Sequence, residues 1–210
     1  MLTAALSLLA LASALLALRA EYRGPRRHVY LFKPLTVALL ILVALQTKLG
    51  TPASYKSLIV AGLLCSLAGD VFLMLPRDRF VQGLMCFLVA HVCYIAAFTF
   101  DGAGAVSVRA GAALAVYGAL MLGLLWRRLG RLRWAVLAYV AVILLMAWQA
   151  SNRWLMAGPP GSHLAAAGAL LFVASDSLLA WNRFRGNFRA AQALVLGTYF
   201  AAQWLIALST

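Results

Sequence analysis

The stretch LLCSLAGDVFLMLP, residues 63–76, places a carboxylate inside an apolar run. A second stretch, LLFVASDSLLAW at residues 170–181, has a similar arrangement around Asp176. The chain has only five acidic residues, so these two positions are conspicuous. A charged side chain at the centre of a membrane-spanning helix costs roughly 2.5–3.5 kcal/mol if it faces lipid. We therefore expect Asp70 and Asp176 to face the interior of a helix bundle.

The composition of the whole chain indicates a membrane protein. Of its 210 residues, 65% are hydrophobic and 11% are charged, and the mean hydropathy is +0.92. A soluble domain of this length could not bury so much apolar surface. Apolar runs of about 20 residues separated by short basic segments are typical of transmembrane helices. The basic residues that give the net charge of +13 lie between these runs. We therefore attribute the charge to membrane orientation and exclude nucleic acid as a partner.

About eight apolar spans fit the sequence, which predicts an all-α, polytopic transmembrane helical bundle forming one domain, residues 1–210. Lipid cannot satisfy backbone polar groups, so each span should be a helix. The first span has no basic residue before Arg19, which favours a retained helix over a cleaved signal peptide. The predicted spans are 2–18, 34–49, 57–75, 80–100, 106–126, 133–150, 162–180 and 188–208, with glycine, proline or Asp101-Gly102 between most of them.

The basic residues are concentrated at one end of these spans. The odd-numbered connections, at 19–33, 77–79, 127–133 and 183–189, carry 14 Lys and Arg residues, whereas the even-numbered connections carry 4. Cytoplasmic loops are enriched in Lys and Arg, so we expect both termini on the outer side. Arginine outnumbers lysine 15 to 3, a bias that favours a bacterial source and hence a cytoplasmic (inner) membrane.

A weak internal repeat is visible in the sequence. Residues 64–70 of the third span match residues 170–176 of the seventh, and Phe80 and Phe188 follow at similar distances. Both spans should run from outside to inside, so helices three and four would be a parallel copy of helices seven and eight. Chance similarity between apolar helices is the alternative.

The two buried aspartates are predicted at matched depth. Asp70 lies six residues before Pro76 and Asp176 lies seven before Arg183, which at 1.5 Å per residue puts each about 9–10 Å from the same membrane face. Neighbouring buried carboxyls commonly divide their roles: one keeps a proton and serves as a general acid, while the other stays ionised and can accept a proton from water. Alternatively, each aspartate is a hydrogen-bonded structural contact between helices.

Further polar side chains could line the same interior. Interhelical hydrogen bonding is the commoner role of such groups in a membrane, and a supporting role at a site is the alternative. Asn182 is assigned to the last odd-numbered connection. The other candidates are Ser66 and Ser175 on the inward faces of the third and seventh spans, His91 and Tyr94 in the fourth, and Gln192, Tyr199 and Gln203 in the eighth.

Two other features favour plain structural interpretations. Lys33-Pro34 should open the second helix, where an interfacial positive charge is favoured over a contact to a lipid phosphate. The three cysteines lie within apolar runs, which indicates core packing. Without a histidine at ligand spacing the sequence predicts no metal site.

These motifs together resemble the YhhN/TMEM86 family of membrane proteins. The resemblance rests on GLLCSLAGDVFLMLPRDRFVQGLMCFLVAHVCYIAAF at residues 62–98, GALLFVASDSLLAWNRF at 168–184 and ALVLGTYFAAQWLIA at 193–207. Lys33-Pro34 and Tyr139 also fit the family pattern, so the similarity covers most of the chain from about Lys33 onward.

The resemblance implies a lysoplasmalogenase-like activity, since the family includes enzymes that hydrolyse the vinyl ether bond of lysoplasmalogens to a fatty aldehyde and a glycerophospho-head group. It implies a lysophospholipid substrate drawn from the membrane and no cofactor. Asp70 and Asp176 would be the catalytic pair, much as glycosidases use two carboxyls. The supporting residues would be His91, Tyr94, Tyr199, Lys33, Ser66, Ser175, Tyr139 and Asn182.

Two other functions fit the same residues. In a proton-coupled membrane transporter, the two acids would carry protons across the bilayer. In a non-catalytic lipid-binding protein, both acids would be dispensable. The natural substrate and the oligomeric state are left open by the sequence.

Overall fold

The computed structural model describes residues 1–99, 106–156, 158–186 and 188–210. These residues form eight α-helices and no strand, and each helix is long and apolar enough to cross a membrane. The predicted multi-pass membrane bundle is thereby confirmed. The predicted span end at Phe100 and the break at Asp101-Gly102 lie outside the described residues. The helices are α1 Leu2–Arg23, α2 Arg26–Gln46, α3 Ala53–Met74, α4 Phe80–Thr99, α5 Val108–Leu125, α6 Arg133–Leu155, α7 Ser162–Phe184 and α8 Ala191–Leu208.

Several helices extend beyond the apolar runs that predicted them. Helix α2 begins at Arg26, with Pro25 at its N-cap, so Lys33-Pro34 lies inside this helix and the prediction that it opens the helix is wrong. Helix α7 continues to Phe184, which places Asn182 in its last turn and not in a connection. Hydropathy reports the length of the hydrocarbon layer, whereas helical hydrogen bonding continues into the headgroup region.

The helices pack mostly as hairpins of sequence neighbours. The most extensive contacts join α3 to α4, α7 to α8 and α1 to α2, while α6 packs on both α4 and α7. Helix α5 lies at the edge and contacts chiefly α6. The parallel repeat stays a prediction, because helices adjacent in sequence pair in this way in most bundles.

Small residues let the two helices that carry the aspartates approach their neighbours closely. A Cβ atom on Gly62 of α3 would lie 2.2 Å from Cε1 of Tyr94 on α4, and one on Gly168 of α7 would lie 2.8 Å from the carbonyl oxygen of Ala202 on α8. Both distances are far below van der Waals contact, so any larger residue would separate these helices. The buried face of α3 includes Gly62, Ser66, Gly69 and Asp70, as predicted.

Candidate active site

A polar cavity lies at the end of the bundle that carries the odd-numbered connections. Its volume is about 520 Å³, within the range that accommodates small ligands. Both predicted catalytic residues, Asp70 of α3 and Asp176 of α7, line it. Its other polar lining residues are Glu21, Arg26, Tyr30, Lys33, Asp78, Ser175, Asn182, Arg183, Gln192 and Tyr199.

Asp70 is held by side chains from two other helices. Nζ of Lys33 on α2 lies 3.0 Å from Oδ1 of Asp70, and the Tyr199 hydroxyl on α8 donates a hydrogen bond to Oδ2 at 2.6 Å. Asp70 is only 1% exposed and Lys33 only 8%. An ammonium group and a phenol donor at these distances favour the ionised carboxylate.

A hydrogen-bonded network continues from Asp70 into the bundle. Gln203 Nε2 donates to the Tyr199 hydroxyl at 3.3 Å, and the Tyr94 hydroxyl donates to Gln203 Oε1 at 2.8 Å. Tyr94 and Gln203 are fully buried. The network fixes the rotamer of Tyr199 and thereby the donor that faces Asp70.

Asp176 has a different environment. It is half-buried, and the Tyr139 hydroxyl on α6 donates a hydrogen bond to its Oδ2. Among the described residues it has no ion-pair partner, in contrast to Asp70. The two carboxyls therefore share one cavity, but only Asp70 has a cation beside it.

The remaining predicted residues occupy three kinds of position. Ser175 lines the cavity, but its hydroxyl donates to the Val195 carbonyl at 3.0 Å and so joins α7 to α8. Asn182 lines the cavity. Ser66 and His91 are fully buried and do not line it.

His91 packs among aromatic rings. Its ring centroid lies 4.7 Å from that of Phe172 and 5.3 Å from that of Tyr139. Neither ring nitrogen has a hydrogen-bond partner in the described part of the chain. The same part contains no cluster of three or more His, Cys, Asp or Glu side chains that could hold a metal ion.

An ion pair at the cavity rim is absent from the sequence predictions. Arg183 at the end of α7 donates to Oδ2 of Asp78 in the α3–α4 connection, and its guanidinium lies 4.9 Å from the centre of the Phe80 ring. The Arg183 hydrogen bond, together with the Phe80 backbone N–H, holds the pKa of Asp78 below its ordinary value. The sequence indicates Arg183 only as a topological charge, and nothing in its spacing indicates the partner.

The interpretation of Lys33 as an interfacial charge is also wrong. The side chain is buried and ion-paired, because α2 begins two turns earlier and carries position 33 into the bundle. The signal available in the sequence was the apolar context, VYLFKPLT at residues 29–36. A lysine in such a run needs a counter-ion, and Asp70 is one of the few acids that could supply it.

Comparison with known proteins identifies the family. A protein named uncharacterized membrane protein YhhN, from Escherichia coli O157:H7, is 34% identical over 92% of each chain. Human lysoplasmalogenase TMEM86A is 37% identical over 85% of this chain and 76% of its own, and pig lysoplasmalogenase TMEM86B is 35% identical over 81% and 70%. No solved structure matches this chain. The model of the YhhN family matches residues 28–210, and the chain therefore belongs to that family.

Proposed function

We propose that this protein is an intramembrane lysoplasmalogenase. It hydrolyses the vinyl ether bond of a lysoplasmalogen, or of a related ether lysolipid, to a fatty aldehyde and a glycerophospho-head group. The relatives named lysoplasmalogenase support this substrate class. The observation that carries the mechanism is the asymmetry between Asp70 and Asp176: Asp70 is paired with Lys33, whereas the one side-chain partner of Asp176 among the described residues is the Tyr139 hydroxyl.

This asymmetry supports a division of roles. Asp176, without a cation beside it, is the carboxyl better suited to carry a proton and act as the general acid. Asp70, beside the Lys33 ammonium, is the carboxyl better suited to stay ionised and act as the base that activates water. Tyr139 would orient Asp176, and Tyr199 would orient Asp70.

The reaction then follows in three balanced steps. Asp176 gives its proton to the outer vinyl carbon, and an oxocarbenium ion forms at the carbon bonded to oxygen. Water adds to that carbon and gives one of its two protons to Asp70, which forms a hemiacetal. The carbon–oxygen bond to the glycerol unit breaks as Asp70 returns its proton to the leaving oxygen. The proton of the hemiacetal hydroxyl restores Asp176, so one water is consumed.

The cavity rim suits a phosphate-bearing head group. Arg26 and Arg183 line the opening, and Asn182 and Gln192 add uncharged polar groups. In the proposed topology this rim faces the cytoplasm of a bacterial cell, with both termini on the outer side of the inner membrane. Ser66, Ser175, His91 and Tyr94 would support the site through helix packing.

The test is aldehyde release from lysoplasmenyl-ethanolamine by the purified protein in detergent, measured by mass spectrometry. Asp70→Asn and Asp176→Asn should each reduce turnover by about 10²–10⁴-fold, while EDTA should leave it unchanged. Lys48→Gln, which removes a charge at an exposed position outside the cavity, is the control and should retain turnover. Full activity in both site variants would refute the mechanism. Proton-driven flux in proteoliposomes without any product would instead support the transporter.

A further inference from the structure

A second, narrower space adjoins the polar cavity. This apolar slot lies between α4, α5, α6 and α7 and has a volume of about 70 Å³. A volume of roughly 10–15 Å³ admits one water molecule, so the slot is small but large enough to take part of a ligand. Its walls include Leu84 of α4, Met121 and Leu122 of α5, Val140 of α6 and Val173 of α7.

The slot and the polar cavity share a wall. Five residues line both spaces: Leu73, Phe80, Phe87, Asp176 and Leu179. Asp176 is the one carboxyl of the slot lining within the described residues, and Asp70 lines only the polar cavity. A molecule with a polar end in the cavity and an apolar tail in the slot must cross this wall, and Asp176 is the one carboxyl in it.

We propose that the apolar slot holds the aliphatic chain of the lysolipid and sets the enzyme's preference for chain length. The proposal rests on the proposed function and adds the place of the chain. An aliphatic chain matches the slot because the lining of the slot is almost wholly apolar. Water in the slot would find few hydrogen-bond partners.

The position of α5 gives the chain a route from the bilayer. Helix α5 packs mainly on α6, and its outer residues Val116, Leu120 and Leu124 are exposed to lipid. Beside Asp176, the Tyr117 hydroxyl of α5 donates to Ser177 Oγ of α7 at 2.7 Å and joins these two helices. Helices α4 and α5 make no extensive contact within the described residues, so a chain would enter the slot between them.

The first experiment locates the chain without requiring turnover. The purified protein is irradiated with a lysophospholipid whose saturated alkyl ether chain ends in a diazirine, and the labelled peptides are mapped. We expect label on the slot-facing residues of α5 and α6. Label confined to the lipid-facing groove between α1 and α8, or no label, would overturn the proposal. Label in the slot of a protein that releases no aldehyde would retain the slot and remove the proposed function.

The second experiment measures chain-length preference. Met121→Trp fills the slot, whereas Leu120→Trp places the same ring in lipid from the next residue of α5, where the side chain is 64% exposed. Each methylene displaced from an apolar site lowers affinity by about fourfold. Met121→Trp should therefore raise KM on the order of 50-fold for a chain that loses three methylenes, and less for shorter chains. Equal KM changes at all chain lengths, or the same shift in Leu120→Trp, would refute the slot.

Discussion

Replacing Lys33 by methionine should remove the cation and leave the buried Asp70 carboxylate without its partner. At an effective dielectric constant of 20, two unit charges 3.0 Å apart attract by roughly 5–6 kcal/mol. Much of this attraction is offset by the cost of removing both charges from water, but deleting one partner leaves the other uncompensated, at a typical cost of about 3–5 kcal/mol. We therefore expect Lys33→Met to lower the free energy of unfolding by about 3–5 kcal/mol.

The double variant decides whether the pair itself is responsible. Lys33→Met combined with Asp70→Asn removes both charges, so most of the lost stability should return. Reversible denaturation in mixed micelles, followed by circular dichroism, measures the free energy of unfolding of the unchanged protein, the two single variants and the double variant. Lys48→Met, at an exposed lysine, controls for the loss of a positive charge. Additive effects of the two single changes would show that Lys33 and Asp70 are not coupled, and would remove the argument that Asp70 is the ionised member of the site.

Three further outcomes follow from the structure. Gly62→Ala should lower the free energy of unfolding by about 1–3 kcal/mol because the new methyl meets an aromatic ring, whereas Gly123→Ala, with open space around it, should not destabilise in the same denaturation assay. The pKa of Asp78 should lie below its ordinary value and rise in Arg183→Gln, which carboxyl chemical shifts measured against pH will show. The stabilisation from this ion pair is therefore present above about pH 3.9 and is lost as the pH falls through the lowered pKa. Tyr199→Phe should lower kcat, with a smaller effect on KM, in the aldehyde-release assay, and an unchanged kcat would refute its positioning role.

The bundle was predictable because the bilayer constrains the chain so strongly. Runs of about 20 apolar residues must be helices, and the glycine and proline breaks separate most of them. The helix ends were not predictable from hydropathy, since α2 and α7 continue as helices through basic, interfacial residues such as Arg26 and Arg183. The burial of Asp70 followed from the cost of exposing a carboxylate to lipid.

The partners of the aspartates were harder to predict. Lys33 lies in sequence beside four arginines, which made it look like one more topological charge. Its pairing with Asp70 depends on the rotation of α2 about its axis, and one apolar face is hard to distinguish from another when most of the helix surface is apolar. Tyr139 was found only through the family pattern, because a lone tyrosine in an apolar span has no spacing signal of its own.

The shared wall between the polar cavity and the apolar slot has a consequence for how the reaction would end. With the substrate placed as proposed, the bond beside Asp176 breaks at the boundary between the polar cavity and the apolar slot. The aldehyde then remains on the lipid side and the glycerophospho fragment on the aqueous side. Each product leaves without passing through the space of the other. Dilution into two different phases opposes their recombination, so the geometry that binds the substrate would also make its cleavage effectively one-way.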